Sequence, residues 1–327
     1  MIAYNIQHHG NKLDHLQWLT KALAEHATVV DVCLDSPQEP INTFSTYCTA
    51  NNLDNVRVFK SMPVIWAGPS VVNQMRDMLR LALEKDDWEW LINLSGSCAP
   101  VVHPKQIYSI LKAHSLTTQK KNFCHGYQPK QPNFWLKSNG IDGYFLCNQW
   151  RTSLYMDHAA HREFELGNLN PLMKSPQRRG IYCSEQLVSN NKKSLLIRGL
   201  YPSEWADRIA FYKQTKFFIG RQWVILHRSA VEWLCTAPKV AHIYNFLNQT
   251  FCPDESFFQT CLAEAPQPIR EATDFSWNFR HRYGAPGKPT ANELLHPNKQ
   301  GALFARKIGN NDNDLRSFIE SQLWLDI

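Results

Sequence analysis

Two periods of apolar residues alternate along the first hundred positions. Residues 2–8 read as a short strand, and "NKLDHLQWLTKALAEH" then places Leu13, Leu16, Leu19 and Leu23 at helical spacing. "ATVVDVCLD" is a β-branched run of the kind buried on both faces and ends at Asp35. A polar helix or loop runs to about residue 53, followed by the short strand "VRVFK". After "AGPS" a helix opens with Ser70 near its start and carries Val72, Met75, Leu79 and Leu83 on one stripe. "WEWLINLSG" is the next strand. Strands alternating with helices of this length predict an α/β fold, a mainly parallel, Rossmann-like sheet with right-handed crossovers. Ligands of such sheets lie beyond the carboxyl ends of the strands. Here those ends are "QHHG", "CLDS" and "LSGSCAP".

From 101 to 215 the periodicity fades among Pro, Asn and basic residues, and few elements are predicted. It returns at "TKFFIGRQWVILHR", a strand or hairpin leading to a helix from Ser229, a second near 238–249, and "SFFQTCLAEA" with Phe257, Phe258 and Cys261 at helical spacing. The tail "TANELLHPNKQGALFARKI" reads as loop and short helix. No linker, low-complexity tract or fixed-period repeat divides the chain, so one domain is expected. Its parts would be a nucleotide-binding half at 1–100, a variable inserted region at 101–215 and a catalytic half at 216–327.

Composition narrows the class. At 327 residues, 43% hydrophobic and 20% charged, the chain has too much apolar material for disorder. "MIAYNIQHHG" lacks the basic flank and long apolar core of a signal peptide, and nowhere do 18 apolar residues run together, so a cytoplasmic location is expected. The 9 cysteines are scattered without C-x-x-C spacing, which argues against a disulfide framework or a thiolate zinc site. The net charge of +6 is concentrated: Lys174, Arg178, Arg179, Lys192, Lys193 and Arg198 stand against Glu185 alone between 174 and 198. Such a run is ordinarily a solvated face; the sharper reading is a basic arm meeting an anionic partner.

Two stretches carry candidate chemistry. "GRQWVILHR" is a strand ending in His-Arg, and "PDES" precedes an apolar helix pattern. Pro, Asp and Glu all suit a helical first turn, which suffices for Asp254. A carboxylate at such a position can also serve as a general base, and Glu255 is the candidate.

Seven blocks in order resemble the core-2/I-branching glycosyltransferase family, which includes the peptide O-xylosyltransferases. They are "AYNIQHHG" with His9 in the histidine place, "VCLD" with Asp35, "WAGPS", "LINLSG", "GRQWVILHR", "PDESFFQT" and "LFARK" at 303–307. Residues 101–215 contribute almost nothing to the likeness. The resemblance implies a GT-A type fold and inverting transfer from a UDP-sugar to a hydroxyl, with Glu255 as catalytic base. It implies basic side chains at the diphosphate in place of a metal: Lys307, and an arginine falling on Arg280 or Arg282. The uridine would meet His9 and Asp35, with Trp66 and Ser70 nearby. Sugar and acceptor would meet Ser95, Gly96, Cys98, Arg221, Gln222, Trp223 and Asp254. His9 as a core histidine, and Trp66 and Trp223 as core tryptophans, stay open beside these roles.

No metal or other cofactor is expected, and the one Asp-x-Asp, Asp312 and Asp314, reads as solvated loop. Two departures bear on specificity. Relatives carry an aspartate where Cys98 stands and a serine where Arg221 stands, and both changes make the pocket more positive. No base is placed beside Cys98 to activate it as a nucleophile. The acceptor would be a saccharide, or, with the basic arm engaged, a hydroxyl on a modified DNA base drawn from the stack. A non-catalytic sugar- or nucleic-acid-binding relative is the remaining alternative. Donor sugar and oligomeric state stay undetermined.

Overall fold

The computed structural model describes residues 1–66, 68–128, 214–250, 252–277, 289–295 and 301–324. It also describes positions 203, 207, 210 and 211, and the strands 181–188 and 192–199 with the side chains of Ser184 and Glu185. The expected first half is present as β1 (Ile2–His9), α1 (Asp14–Ala24), β2 (Val29–Asp35), α2 (Gln38–Ala50), β3 (Val56–Lys60), α3 (Pro69–Leu83) and β4 (Trp90–Ser95). The polar stretch after Asp35 is thus a helix, with Pro40, Ile41, Phe44 and Cys48 inward.

Between 101 and 215 the sequence pattern concealed α4 (Pro104–Thr118), whose inward face offers only Pro104, Ile107, Leu111 and Ser115, β6 (Asn122–Tyr127) and the two strands of a hairpin. The short β5 (Cys98–Pro100) precedes them, and β7 (Ile181–Val188) pairs with β8 (Lys192–Gly199) as a separate hairpin. Then come β9 (Ile219–His227), α5 (Arg228–Thr236), α6 (Pro238–Leu247), a 3-10 turn at Pro253–Glu255, α7 (Phe257–Glu264), α8 (Gln267–Glu271) and β10 (Thr273–Asp274). The chain closes with α9 (Ala291–Leu294), β11 (Phe304–Arg306), α10 (Asn313–Phe318) and a π-helical turn at Ile319–Leu323. No helix among the described residues is long and apolar enough to cross a membrane.

The main sheet has seven strands in the order β10-β6-β9-β4-β1-β2-β3. β1 is parallel to β2 and β4, β2 to β3, and β10 to β6, whereas β9 is antiparallel to both its neighbours. The α/β sheet expected from the sequence is therefore observed, with one reversed strand. "TKFFIGRQWVILHR" supplies that single strand and no hairpin. Alternating residues face two apolar cores, as the strand period requires. Ile2, Tyr4 and Ile6 pack with α1, α2 and α4, while Ala3, Val29, Leu91 and Val224 pack with α3, α5, α6 and α7. Cys33, Cys48, Cys98, Cys124 and Cys261 are buried, and Cys235 and Cys252 half-buried.

The reversal of β9 has a geometric consequence. Trp90 lies opposite His227 and Ile92 opposite Ile225, so the first residues of β9 share an edge with the last residues of β1, β2 and β4. At that same edge β5 and β11 form a two-stranded ladder, Cys98 opposite Arg306 and Pro100 opposite Phe304. A three-residue ladder is weak alone, and His15 reinforces it. Its ring Nε2 meets the Cys98 carbonyl at 2.9 Å and its backbone N–H donates to Asn310 Oδ1 at 2.9 Å. Asp312 Oδ2 accepts from the Gly309 amide at 2.8 Å, and Arg316 donates to the Gly309 and Asn310 carbonyls.

Burial holds the His15 imidazole down to about 4 from its ordinary 6.5, and burial does the same to His8, helped by neighbouring His9. Between these values the unfolded chain binds more protons than the folded one, so stability is full above 6.5 and falls as pH drops toward 4. Denaturant midpoints are therefore expected to be lower at about pH 5 than at about pH 7.5, with a shallower dependence in a His15→Gln variant.

Candidate active site at the carboxyl edge of the sheet

The carboxyl ends of β1 and β2 adjoin, His9 lying opposite Asp35. His9 is exposed, so the core-histidine reading does not hold for it; the inward neighbour is His8. Gly96 sits where a Cβ would come within 2.2 Å of the His8 ring, which is why that turn residue carries no side chain. Asp35 Oδ2 accepts from the Val64 amide at 3.0 Å and fixes the loop between β3 and α3. Ser70 holds the same loop through Oγ, which accepts from Ile65 at 2.8 Å. Its own amide donates to Glu185 Oε1 of β7 at 2.7 Å, capping an α3 N-terminus whose Gly68 offers no side chain. Trp66, 57% exposed, projects from this loop.

At the end of β4 the Ser95 hydroxyl is a hub. It lies 3.0 Å from Ser97 Oγ and 3.4 Å from Cys98 Sγ, and it accepts from Arg306 Nε at 3.1 Å. Cys98 is wholly buried, so its thiol acts on Ser95 and Arg306 and not on solvent. The Arg306 guanidinium lies 4.6 Å from the centre of the Trp223 ring, and no carboxylate among the described residues pairs with it. Burial lowers its pKa, against a counteracting pull from the Cys98 thiol. Trp223, 2% exposed, forms the wall under that cation. Lys307 follows, exposed, before Ile308 donates to the Ser97 carbonyl at 2.9 Å. Arg306 received no role from the sequence; its signal is burial with no anionic partner among the described residues.

The carboxylate turn reaches the edge by another route. Asp254 and Glu255 lie in the 3-10 turn ahead of α7, with Ser256 between turn and helix, so Glu255 is not in the helical first turn expected for it. This turn packs against α3 and β9. What seats it is the start of α7: the Gln259 amide donates to the Arg221 carbonyl, and Thr260 Oγ1 accepts from the Phe218 amide at 3.1 Å. Gln259 lies over Gly126 and Gly220, where a Cβ would approach its side chain to 2.8 Å; at Gly220 it would also meet the His125 carbonyl at 1.9 Å. Gln259 and Thr260 belong to "PDESFFQT", yet only the packing shows what they do.

The edge thus gathers His9, Asp35, Trp66 and Ser70 at one end, and Ser95, Gly96, Cys98, Arg306 and Lys307 at the middle. Arg221, Gln222 and Trp223 on β9 adjoin the turn bearing Asp254 and Glu255. Arg280 and Arg282 lie outside the described residues, as do Lys174, Arg178 and Arg179 of the basic segment; Lys192, Lys193 and Arg198 fall on β8. Asp312 precedes α10 and Asp314 lies in its first turn, ordinary helix-start positions for carboxylates.

The sequence model described as Core-2/I-Branching enzyme matches residues 2–141 and 170–290. Among curated proteins, xylosyltransferase 2 of Canis lupus familiaris is 24% identical over 271 residues, covering 81% of this chain and 25% of its own length. Xylosyltransferase 1 of Rattus norvegicus is likewise 24% identical over 271 residues, covering 81% and 26%. The chain therefore spans about a quarter of the curated relatives it matches. Among solved structures, S. aureus TarS residues 1–349 overlap at a TM-score of 0.27 and 15% identity, covering 41% of this chain and 36% of that one.

The glycine seat is directly testable. Gly220→Ala drives a methyl group into the His125 carbonyl, which cannot yield without moving β6. Equilibrium unfolding is expected to show a loss of about 1–3 kcal/mol or more, and amide exchange across α7 to quicken.

Proposed function

This chain belongs to the core-2/I-branching enzyme family, and on that premise we propose that it is an inverting glycosyltransferase of GT-A type, moving a sugar from a UDP-sugar to an acceptor hydroxyl of a saccharide. The observation that carries the proposal is that β9 is shared: the carboxylate turn packs against it, and Arg306 of the cationic strand, more than fifty residues on in sequence, stacks on its Trp223.

Inversion in one displacement requires the acceptor oxygen to shed its proton while it attacks from the face opposite the departing UDP. Glu255 is proposed to take that proton; its turn, held between α3 and β9, has little freedom to wander from the required position. As the anomeric bond breaks, negative charge grows on the diphosphate. Arg306 and Lys307 are proposed to meet it, because fixed cations in a partly dry site stabilise developing charge without reorganising. Arg306 suits that role because Ser95 orients its Nε, Trp223 supports its plane, and no carboxylate among the described residues neutralises it. Asp35 and the loop it fixes would bound the nucleoside end, with Trp66 and His9 at the rim.

Metal independence belongs to the same proposal. Asp312, half of the single Asp-x-Asp, already accepts from Gly309, and the cationic strand supplies the positive charge a metal would bring. One experiment tests the scheme, namely UDP release from a panel of UDP-sugars, with UDP affinity measured in parallel. Glu255→Gln is expected to lower turnover about 10²–10⁴-fold while leaving UDP affinity unchanged. Arg306→Ala or Lys307→Ala is expected to weaken UDP binding as well as turnover, by about 10²–10³-fold in rate. EDTA is expected to change neither. Unchanged turnover in Glu255→Gln would remove the base assignment, and a rate abolished by EDTA would remove the metal-free one.

A further inference from the structure

We propose that Gln7 of β1 and Gln222 of β9 read hydroxyls of the transferred sugar, and so set which UDP-sugar is used. This deepens the glycosyltransferase reading and rests on it. The strand registers put Gln7 opposite both Cys33 and Ser95, so these three form a row across β2, β1 and β4 at the carboxyl edge. Gln222 of β9 joins its β4 end, where the Asn93 side chain donates to the Gln222 carbonyl at 3.1 Å. The row lies on the face covered by α3 and α7. That is the side on which the Glu255 turn packs, and Ser95 at its centre holds Arg306. Arg306 itself stacks on Trp223, which faces the opposite core, so Ser95 is the point at which a sugar joined to a diphosphate at Arg306 would reach the end of this row.

The hydrogen bonds within the row are unevenly filled. Ser95 Oγ is engaged by Ser97, Cys98 and Arg306. Gln7 Nε2 and Gln222 Oε1 are both buried, and neither finds a partner among the described residues. One layer deeper, Asn5 is 1% exposed and its Oδ1 is likewise unpartnered, although neighbouring Asp31 is taken by Arg57 and Asn93 donates to the Gln222 carbonyl. Folded chains leave few buried polar atoms unmatched, because each forfeits its bonds to water, and clusters of them call for an explanation. Here a donor and an acceptor flank a satisfied serine on strands ~10 Å apart, two spacings of ~4.8 Å. A hydroxyl both accepts and donates, and a pyranose offers hydroxyls on opposite sides of its ring, so one sugar can satisfy both amides.

The test uses the full chain with UDP-xylose, UDP-glucose, UDP-galactose and UDP-N-acetylglucosamine, following UDP release, and with UDP alone, measuring affinity by calorimetry. Gln7→Leu and Gln222→Leu are expected to lower kcat/KM for the preferred donor about tenfold to a hundredfold and to flatten the preference among the four, with the Kd for UDP unchanged. Gln7→Glu keeps the side-chain shape and removes the N–H donor, so it carries the test should a leucine variant fail to fold. Equal losses for UDP and UDP-sugar, or an unaltered preference in all variants of a working enzyme, would show that the amides hold internal water only and would overturn the inference alone. Release of UDP from none of the four donors by the unaltered chain would overturn it together with the glycosyltransferase reading.

Discussion

The direction of β9 is the constraint on which the candidate site depends. Six strands of the main sheet run one way, and their carboxyl ends make one edge at which ligands of α/β sheets gather. A seventh parallel strand would have sent its own start to the opposite edge. Because β9 is reversed, Arg221, Gln222 and Trp223 begin at the ligand edge, and the helix packed against that beginning brings the Glu255 turn with it. Gly220 and Gly126 then acquire a reason: α7 comes so near the sheet that neither position tolerates a methyl group.

Much of this was legible in the sequence, for reasons that differ by element. The strands and helices of the first half announce themselves because each buries a full stripe, as α3 does with Val72, Met75, Leu79 and Ala82. By contrast, α4 buries only Pro104, Ile107, Leu111 and Ser115, and β6 breaks its apolar run with His125 and Gly126, so neither has a strong period. The β5–β11 ladder is three residues long on each side, below the length at which alternation can be recognised. Motif likeness proposes roles for Glu255 and Lys307 from residue order alone. It is silent about Arg306, Gln259 and Gln7, whose surroundings are given by burial, close approach and register, properties no short pattern records.

The two halves of the proposed chemistry are held by unlike means. Glu255 is placed by packing: its turn is wedged between α3 and β9 and secured through neutral hydrogen bonds of Gln259 and Thr260 to backbone. Arg306 and Lys307 are placed by a minimal ladder, reinforced from outside through His15, Asp312 and Arg316. Acid therefore bears on the second support before the first, since His15 is a titratable anchor and the amide seat of α7 has none.

Arg306 shows how such a site can be poised without a ligand. A guanidinium drawn partly out of water loses hydration that only an anion or well-placed acceptors restore. Here one N–H is met by Ser95 Oγ and one face by Trp223, and no carboxylate among the described residues completes the set. The residue opposite it on the ladder is a cysteine; an aspartate there would place a carboxylate across the ladder from the cation. With Cys98 in that place the charge stays available, and on the proposed reading it is the donor's diphosphate that meets it. The same logic runs along the row beside it, where Gln7 and Gln222 keep a donor and an acceptor unmatched among the described residues. A cation and two amides left incompletely satisfied among the described residues at one edge would, on the proposed reading, be completed together by a nucleotide-linked sugar, which carries both charge and hydroxyls.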